Sequence, residues 1–397
     1  MAALDGMRVL DMTQFEAGTS CTQYLAWLGA DVVKIEGPTG DPGRGVARAL
    51  DVDPQYFMNY NGNKRSVVLN LKSERGRQVF MELVPHFDVF VENYGPGVLE
   101  ALNIDIDHMR ELNPRLICAR IKGFGLSGPY KDFQAYDWVA QAAAGSFSAT
   151  GEVDGPPRII GPTYGDSGTG MQAAIGILGA YVEQQRTGHG QLIEISMQEA
   201  VTMFVRTLDM EKWGTAPAGR HGYLRGRAAG GLYPCKGDGP NDWVFIYPAT
   251  TQMWDAMCTT IDRPDMVMDE RYSTAEARIA HVDELYEQIK MWTLEHDKRE
   301  AMRVLGAAGV PCSYVFDTLD LFNDEHLVAR DFIQTVEHPE AGAVQLMRPA
   351  ILMPGMEPME RAPLLGEHTD EVLAEYLSMD AAAVAELHAQ GVTKPRR

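Results

Sequence analysis

One run of residues joins a potential nucleophile to an open backbone: Gly161-Pro-Thr-Tyr-Gly165-Asp166-Ser-Gly168-Thr-Gly170-Met-Gln. Glycines on both sides of the aspartate let a ligand approach the main chain closely. Residues 166–185 read as one long helix, which puts the Asp166 carboxylate at the partially positive helix end and predicts that it is ionised. An accessible carboxylate can attack an activated acyl group and form a mixed anhydride, dividing a difficult exchange into easier steps. Asp is also a common helix opener, so the same pattern describes a plain cap. The residues alone leave both roles open.

Other motifs carry less. Gly123-Phe-Gly125-Leu-Ser-Gly128 follows a strand, but Pro129-Tyr-Lys-Asp132 stands where a dinucleotide site needs a helix to hold pyrophosphate. It reads as a turn-rich loop. The stretch 214–231 is rich in Gly, Pro and Arg, the composition of a linker or active-site loop. Within it Gly230 and Gly231 permit movement. Arg220, Arg225 and Arg227 are of the type that grips a carboxylate at two points, or simply offsets an acidic chain. His189 and His368 stand alone and take no catalytic role. Cys21, Cys118, Cys235, Cys258 and Cys312 are odd in number and far apart, so they are expected as reduced thiols with no disulfide framework and no metal clamp.

The elements that must position Asp166 alternate. Residues 7–12 read as a strand, 20–28 as a helix and 31–35 as a strand. The pattern continues with strands at 66–71, 89–92 and 116–121 and a helix at 74–84. A strand at 191–196 and a helix from Met197 follow the long helix. This predicts an α/β fold with a parallel, helix-covered sheet in a large domain over 1–213. A linker or active-site loop at 214–231, a smaller α/β domain at 232–330 and a C-terminal segment at 331–397 that returns to the large domain complete the expected organisation.

Composition excludes some functions. The 397 residues carry 35 Lys plus Arg against 55 Asp plus Glu, a net charge of −20, which disfavours nucleic acid and anionic membranes as partners. The longest apolar stretch, 173–182, is about half the ~20 residues a spanning helix needs. No membrane span and a cytoplasmic location are expected.

Gly165-Asp166-Ser-Gly-Thr-Gly-Met-Gln, with Thr187-Gly-His-Gly-Gln and Ser196-Met-Gln-Glu-Ala downstream, resembles the nucleophile region of the class III CoA-transferases, the CaiB/BaiF type. The segments Leu4-Asp-Gly-Met-Arg-Val-Leu-Asp11, Leu28-Gly-Ala-Asp-Val-Val-Lys-Ile-Glu36, Asn63-Lys-Arg-Ser66, Val91-Glu-Asn-Tyr-Gly-Pro-Gly97 and Arg361-Ala-Pro-Leu-Leu-Gly-Glu-His-Thr-Asp370 extend the likeness over nearly the whole chain. The pattern is nearest to the formyl-CoA:oxalate branch.

The resemblance implies that Asp166 takes the acyl group of a donor thioester as an anhydride and then carries CoA as an aspartyl thioester. Coenzyme A thioesters are then substrates, and no tightly bound cofactor is needed. It also implies an interlocked dimer of ring-like chains, each with a large Rossmann-like domain and a small domain, as a homodimer or as a heteromer with a related chain. On the same pattern Glu16, Ala17, Leu69, Asn70, Leu71, Lys72, Asn93, Tyr94, Gly95, Gln134, Ala135, Tyr136 and Asp137 meet CoA and the intermediates. Arg225, Gly230 and Gly231 belong to the loop over the nucleophile.

Three departures stand out: Glu16 replaces a Gln of that branch, Gly37 and Ala101 replace basic residues, and the loop is shorter and more basic. Arg220, Arg225 and Arg227 could then pair with the second carboxylate of a dicarboxylic acceptor, or instead serve the CoA phosphates, and the resemblance implies a formyl-CoA or succinyl-CoA type of donor. The α-methylacyl-CoA racemase branch is the main alternative, but it needs a His-Asp pair where this chain has Tyr136-Asp137, and a Tyr with a pKa near 10 is a poor proton carrier at neutral pH.

Overall fold

The computed structural model describes residues 2–47, 52–208, 210–222, 229–356 and 358–394. Six strands form one parallel sheet: β1 (Arg8–Met12), β2 (Asp31–Glu36), β3 (Arg65–Val68), β4 (Val89–Glu92), β5 (Ile117–Lys122) and β6 (Leu192–Ser196), in the order β3-β2-β1-β4-β5-β6. Val9 of β1 lies opposite Val32 on one side and Val89 on the other. Both faces of such a sheet are covered, so its strands read as nearly continuous apolar runs.

Alternate residues go to opposite layers. Leu10, Met12, Val33, Ile35 and Phe90 pack with Val79, Phe80 and Leu83 of α3 (Glu74–Leu83). Val9, Val32, Val89, Val91 and Ile117 pack on the other face with Cys21 and Leu25 of α1 (Ala17–Trp27) and with Ala173, Ala174 and Ile177 of the long helix α5 (Tyr164–Thr187). Two shorter helices complete the frame of the site: α2 (Gln55–Asn61) and α4 (Asp137–Ala143). A further helix, α6 (Met197–Val205), follows β6 directly.

The long helix keeps its small residues for close approach. A Cβ at Gly170 would stand 2.1 Å from Ser20 Oγ and 2.4 Å from the Ala17 carbonyl oxygen, so α1 crosses α5 at a distance only glycine permits. The nearby Gly168 sits under the Phe204 ring in the same way.

The chain divides into two compact units. The first comprises Met1–Phe147, Ile159–Met210 and Asp331–Arg397; the second comprises Ser148–Arg158 and Glu211–Arg330. In the first, Ile333–His338 and Gly342–Met347 pair antiparallel, and Val372 and Leu373 of a helix at Thr369–Leu377 join the sheet core. The second unit has an antiparallel sheet of Gly231–Pro234, Trp243–Ile246 and Cys312–Tyr314. Its core gathers Tyr233, Trp254, Met257, Ile289 and Leu305. Among the described residues no helix is long and apolar enough to cross a membrane.

Candidate active site

In an open sheet of this order, β1 and β4 are neighbours whose following chains run in opposite directions, leaving a crevice beyond their carboxyl ends. The crevice is present. A cleft of about 190 Å³ is lined by Gln14, Phe15 and Ala17 after β1 and by Asn93, Tyr94 and Gly95 after β4. Lys122, Lys131, Phe133, Gln134, Ala135, Tyr136 and Asp166 close it.

Asp166 lies in the first turn of α5, half-buried, with its carboxylate on the cleft. It does not cap its own helix. That duty falls to Asp137 at the start of α4, whose Oδ1 accepts the Asp166 backbone N–H at 3.0 Å. Gln141 in turn donates to Asp137 Oδ2 at 2.7 Å and to the Pro162 carbonyl at 3.1 Å, which fixes the borrowed cap. Of the two roles left open by the residues alone, the capping role is thereby filled from outside and the Asp166 side chain is left to the cleft.

Glu16 is 2% exposed and sits behind Asp166 rather than in the cleft wall. Thr163 donates to its Oε1 at 2.5 Å and Ser167 at 2.7 Å, and Tyr60 of α2 lies near enough that burial and the Glu16 charge push its phenol up. Only hydroxyls serve it, and no Lys or Arg pairs with it among the described residues. Burial pushes the Asp166 carboxyl up to about 8, with the negative charges of Glu16 and then Asp137 adding to the effect. The ionised state expected from the helix end is therefore corrected: desolvation and two like charges outweigh a dipole worth at most ~2 kcal/mol.

The loops on either side of the crevice are locked together. Asn93 accepts the Gln14 N–H and donates to the Gln14 carbonyl, both at 2.8 Å. Lys122 bonds Glu92 Oε2 at 2.8 Å and the Tyr94 carbonyl at 2.6 Å, so this ammonium is already partnered. Burial holds the Lys122 amine below its usual range, against the pull of Glu92. The Tyr136 ring stands edge-on to Phe15, 5.8 Å between centroids.

Ala17, Asn93, Tyr94, Gly95, Gln134, Ala135, Tyr136 and Asp166 thus share one cleft, with Glu16 and Asp137 directly behind it. Leu69 to Lys72 do not line it: Leu69 and Leu71 are core residues, the Asn70 N–H donates to the Val392 carbonyl at 2.8 Å, and Lys72 is exposed. Gly230 and Gly231 belong to the second unit, where Gly231 opens a strand. Arg225 and Arg227 lie outside the described residues. Arg220 donates to the Gly155 carbonyl at 2.8 Å within the second unit.

Sequence reasoning missed Gln14, Phe15, Tyr60, Thr163, Ser167 and Gln141. Tyr56 and Tyr60 were detectable as an i, i+4 pair on one face of α2. No group of three or more His, Cys, Asp or Glu able to hold a metal occurs among the described residues.

Residues 4–369 match the model of CoA-transferase family III. The chain is 41% identical to a formyl-CoA:oxalate CoA-transferase of Streptomyces avermitilis, covering 98% of this chain and 99% of that one. It is 38% identical to the enzyme of the same name from Rhodopseudomonas palustris strain HaA2, covering 100% and 98%. Among solved structures, a CaiB/BaiF family protein from Brucella suis superposes with a TM-score of 0.84 at 28% identity, over 94% of this chain and 99% of the other. The Rv3272 protein of Mycobacterium tuberculosis gives 0.80 at 26%, over 93% and 98%. A parallel sheet whose crevice presents an uncapping aspartate, matched over almost its full length to one set of transferases, is the structure of a CoA-transferase: the chain belongs to CoA-transferase family III.

Proposed function

We propose that the protein moves CoA from an acyl-CoA donor to a free carboxylic acid by covalent catalysis at Asp166. The carboxylate attacks the donor thioester carbonyl; the C–S bond breaks, CoA thiolate leaves and an acyl-aspartyl anhydride forms. The thiolate then attacks the Asp166 carbonyl, expelling the donor acid as its carboxylate and leaving an aspartyl-CoA thioester. The acceptor carboxylate attacks that thioester, releasing thiolate and forming a second anhydride. Attack of thiolate on the acceptor's own carbonyl releases the new acyl-CoA and regenerates the carboxylate. One thioester replaces another, so no nucleotide is consumed.

The observation that carries this reading is the borrowed cap. Asp137 and Gln141 hold the start of α5, and the Asp166 carboxylate faces the cleft without accepting a hydrogen bond among the described residues. For the substrates, the name shared by the two relatives supports formyl-CoA as donor type and a dicarboxylic acid as acceptor, with Arg225 as the partner of the second carboxylate. An interlocked dimer is the assembly we infer from the resemblance, and light scattering of the purified protein tests it.

Incubation with formyl-CoA or succinyl-CoA, followed by mass analysis of peptides, should place CoA on Asp166. Asp166→Ala should abolish exchange while retaining CoA binding. Turnover retained in that variant refutes the mechanism. Exchange of the substrate α-proton with solvent deuterium would instead support the racemase.

A further inference from the structure

Phe15 has φ +59°, in the left-handed region that a bulky aromatic residue adopts only when its surroundings impose it. The imposing contacts lie behind the cleft. Asp41 Oδ1 accepts the Phe15 N–H at 3.1 Å and the Gly43 N–H at 2.7 Å, while its other oxygen meets the Lys34 ammonium at 2.8 Å. Lys34 is wholly buried and donates to the Thr13 carbonyl at 2.8 Å, and Asp11 Oδ1 accepts the Thr13 N–H at 2.9 Å. With Gln14 tied to Asn93 at both its N–H and its carbonyl, each residue from 13 to 15 is held by a distant partner.

What this turn delivers is the site itself. Immediately after it, Glu16 holds Thr163 and Ser167 on either side of the Asp166 helix turn, and Gln14, Phe15 and Ala17 face the cleft. An ordinary turn residue such as Gly or Asn would need no such support. Asp41 touches neither the cleft nor Asp166.

We propose that Asp41, anchored by Lys34, is a positioning residue that holds Phe15 in its left-handed conformation and so sets Glu16 against the nucleophile's helix. The role rests on the transferase reading of Asp166 only where turnover is the readout. Removing the acceptor lets Phe15 relax to negative φ, which rotates the next peptide and draws Glu16 off Thr163 and Ser167.

The test is a cycle with Phe15→Gly, because glycine adopts this conformation without help. Asp41→Ala alone should lower kcat/KM for the acyl-CoA about 10²-fold, the cost of a misplaced site. In the Phe15→Gly background the same change should cost less than about 3-fold. Since Asp41→Ala strands a buried ammonium, the apolar pair Lys34→Met/Asp41→Leu serves as a second route to the same loss of acceptor. It should show the same rescue by Phe15→Gly.

Equal losses in both backgrounds overturn the proposal, as does a loss confined to melting temperature with unaltered kcat/KM in the folded protein. The acid limb of the kcat/KM profile should also move down in Asp41→Ala, because Glu16 has left Asp166. If the wild-type protein exchanges no CoA, the transferase reading falls. The cycle is then read in acetyl-CoA affinity, which Asp41→Ala should weaken about 10-fold against wild type but less than about 3-fold against Phe15→Gly alone, since the turn walls the cleft. An affinity unmoved by Asp41→Ala rejects the positioning role independently.

Discussion

Glu16→Gln removes one charge from behind Asp166 and keeps the side chain's size, so its effect on Asp166 can be worked from the structure. The Asp166 carboxyl stands at about 8 against an ordinary 3.8, with burial the largest cause, Glu16 the next and Asp137 the last. A like charge at close range in a buried site is worth on the order of one unit or more, and each unit is about 1.4 kcal/mol or tenfold in the ionised fraction. At pH 7 about a tenth of a carboxyl with a pKa of 8 is ionised, and a drop of one unit raises that to about half.

The acid limb of kcat/KM, which reports the free enzyme, should therefore move down by about one unit. Below pH 6.5 the variant should gain several-fold relative to its own plateau. The plateau itself should fall, because a less basic carboxylate is a weaker nucleophile and the amide accepts less strongly from Thr163 and Ser167. The assay is exchange between formyl-CoA and a carboxylic acid from pH 5.5 to 9.5, with thioesters separated chromatographically. An acid limb that stays at the wild-type position, or rises, refutes the claim that Glu16 sets the charge state of Asp166.

Two other predictions concern stability. Because the folded Asp166 carboxyl lies above its unfolded value, the unfolded chain releases this proton first and stability falls as pH rises from about 4 to about 8. Asp166→Asn should accordingly raise the melting temperature by about 2 °C or more at pH 8.5 and have little effect at pH 4; calorimetry showing the same shift at both pH values would contradict the assigned strain. Gly170→Ala places a methyl against Ser20 Oγ and the Ala17 carbonyl. It should cost about 1–3 kcal/mol in denaturant unfolding, and a neutral result would mean α1 can retreat from α5.

The parallel sheet was legible because burial of both faces leaves a plain mark: 7–12 and 89–92 are apolar apart from Arg8, Asp11 and Glu92, and β1 and β4 occupy Arg8–Met12 and Val89–Glu92. Helix α5 was legible for a related reason, since its Gly and Ala residues record the close approach of α1. Asp166 itself stood out by its glycines. Its charge state did not, for a physical reason: a helix end is visible in the adjoining residues, whereas Glu16 and Asp137 reach the carboxylate only through the fold and carry the larger effect.

Phe15 is the sharper case of the same rule. Every residue type that favours a left-handed backbone does so by its own chemistry, and phenylalanine has none to offer, so nothing in the local string announces the turn. The conformation is bought by Asp41 on the chain beyond β2 and by Asn93 after β4, contacts that exist only once β1, β2 and β4 lie side by side. A crevice between strands is thus where local inference fails first: its walls come from separate loops, and the residues that hold each loop in place belong to its neighbours. Asp41→Ala and Glu16→Gln probe that dependence from its two ends, one through backbone geometry and the other through charge, and a shared downward movement of the acid limb is what a single mechanically coupled turn requires.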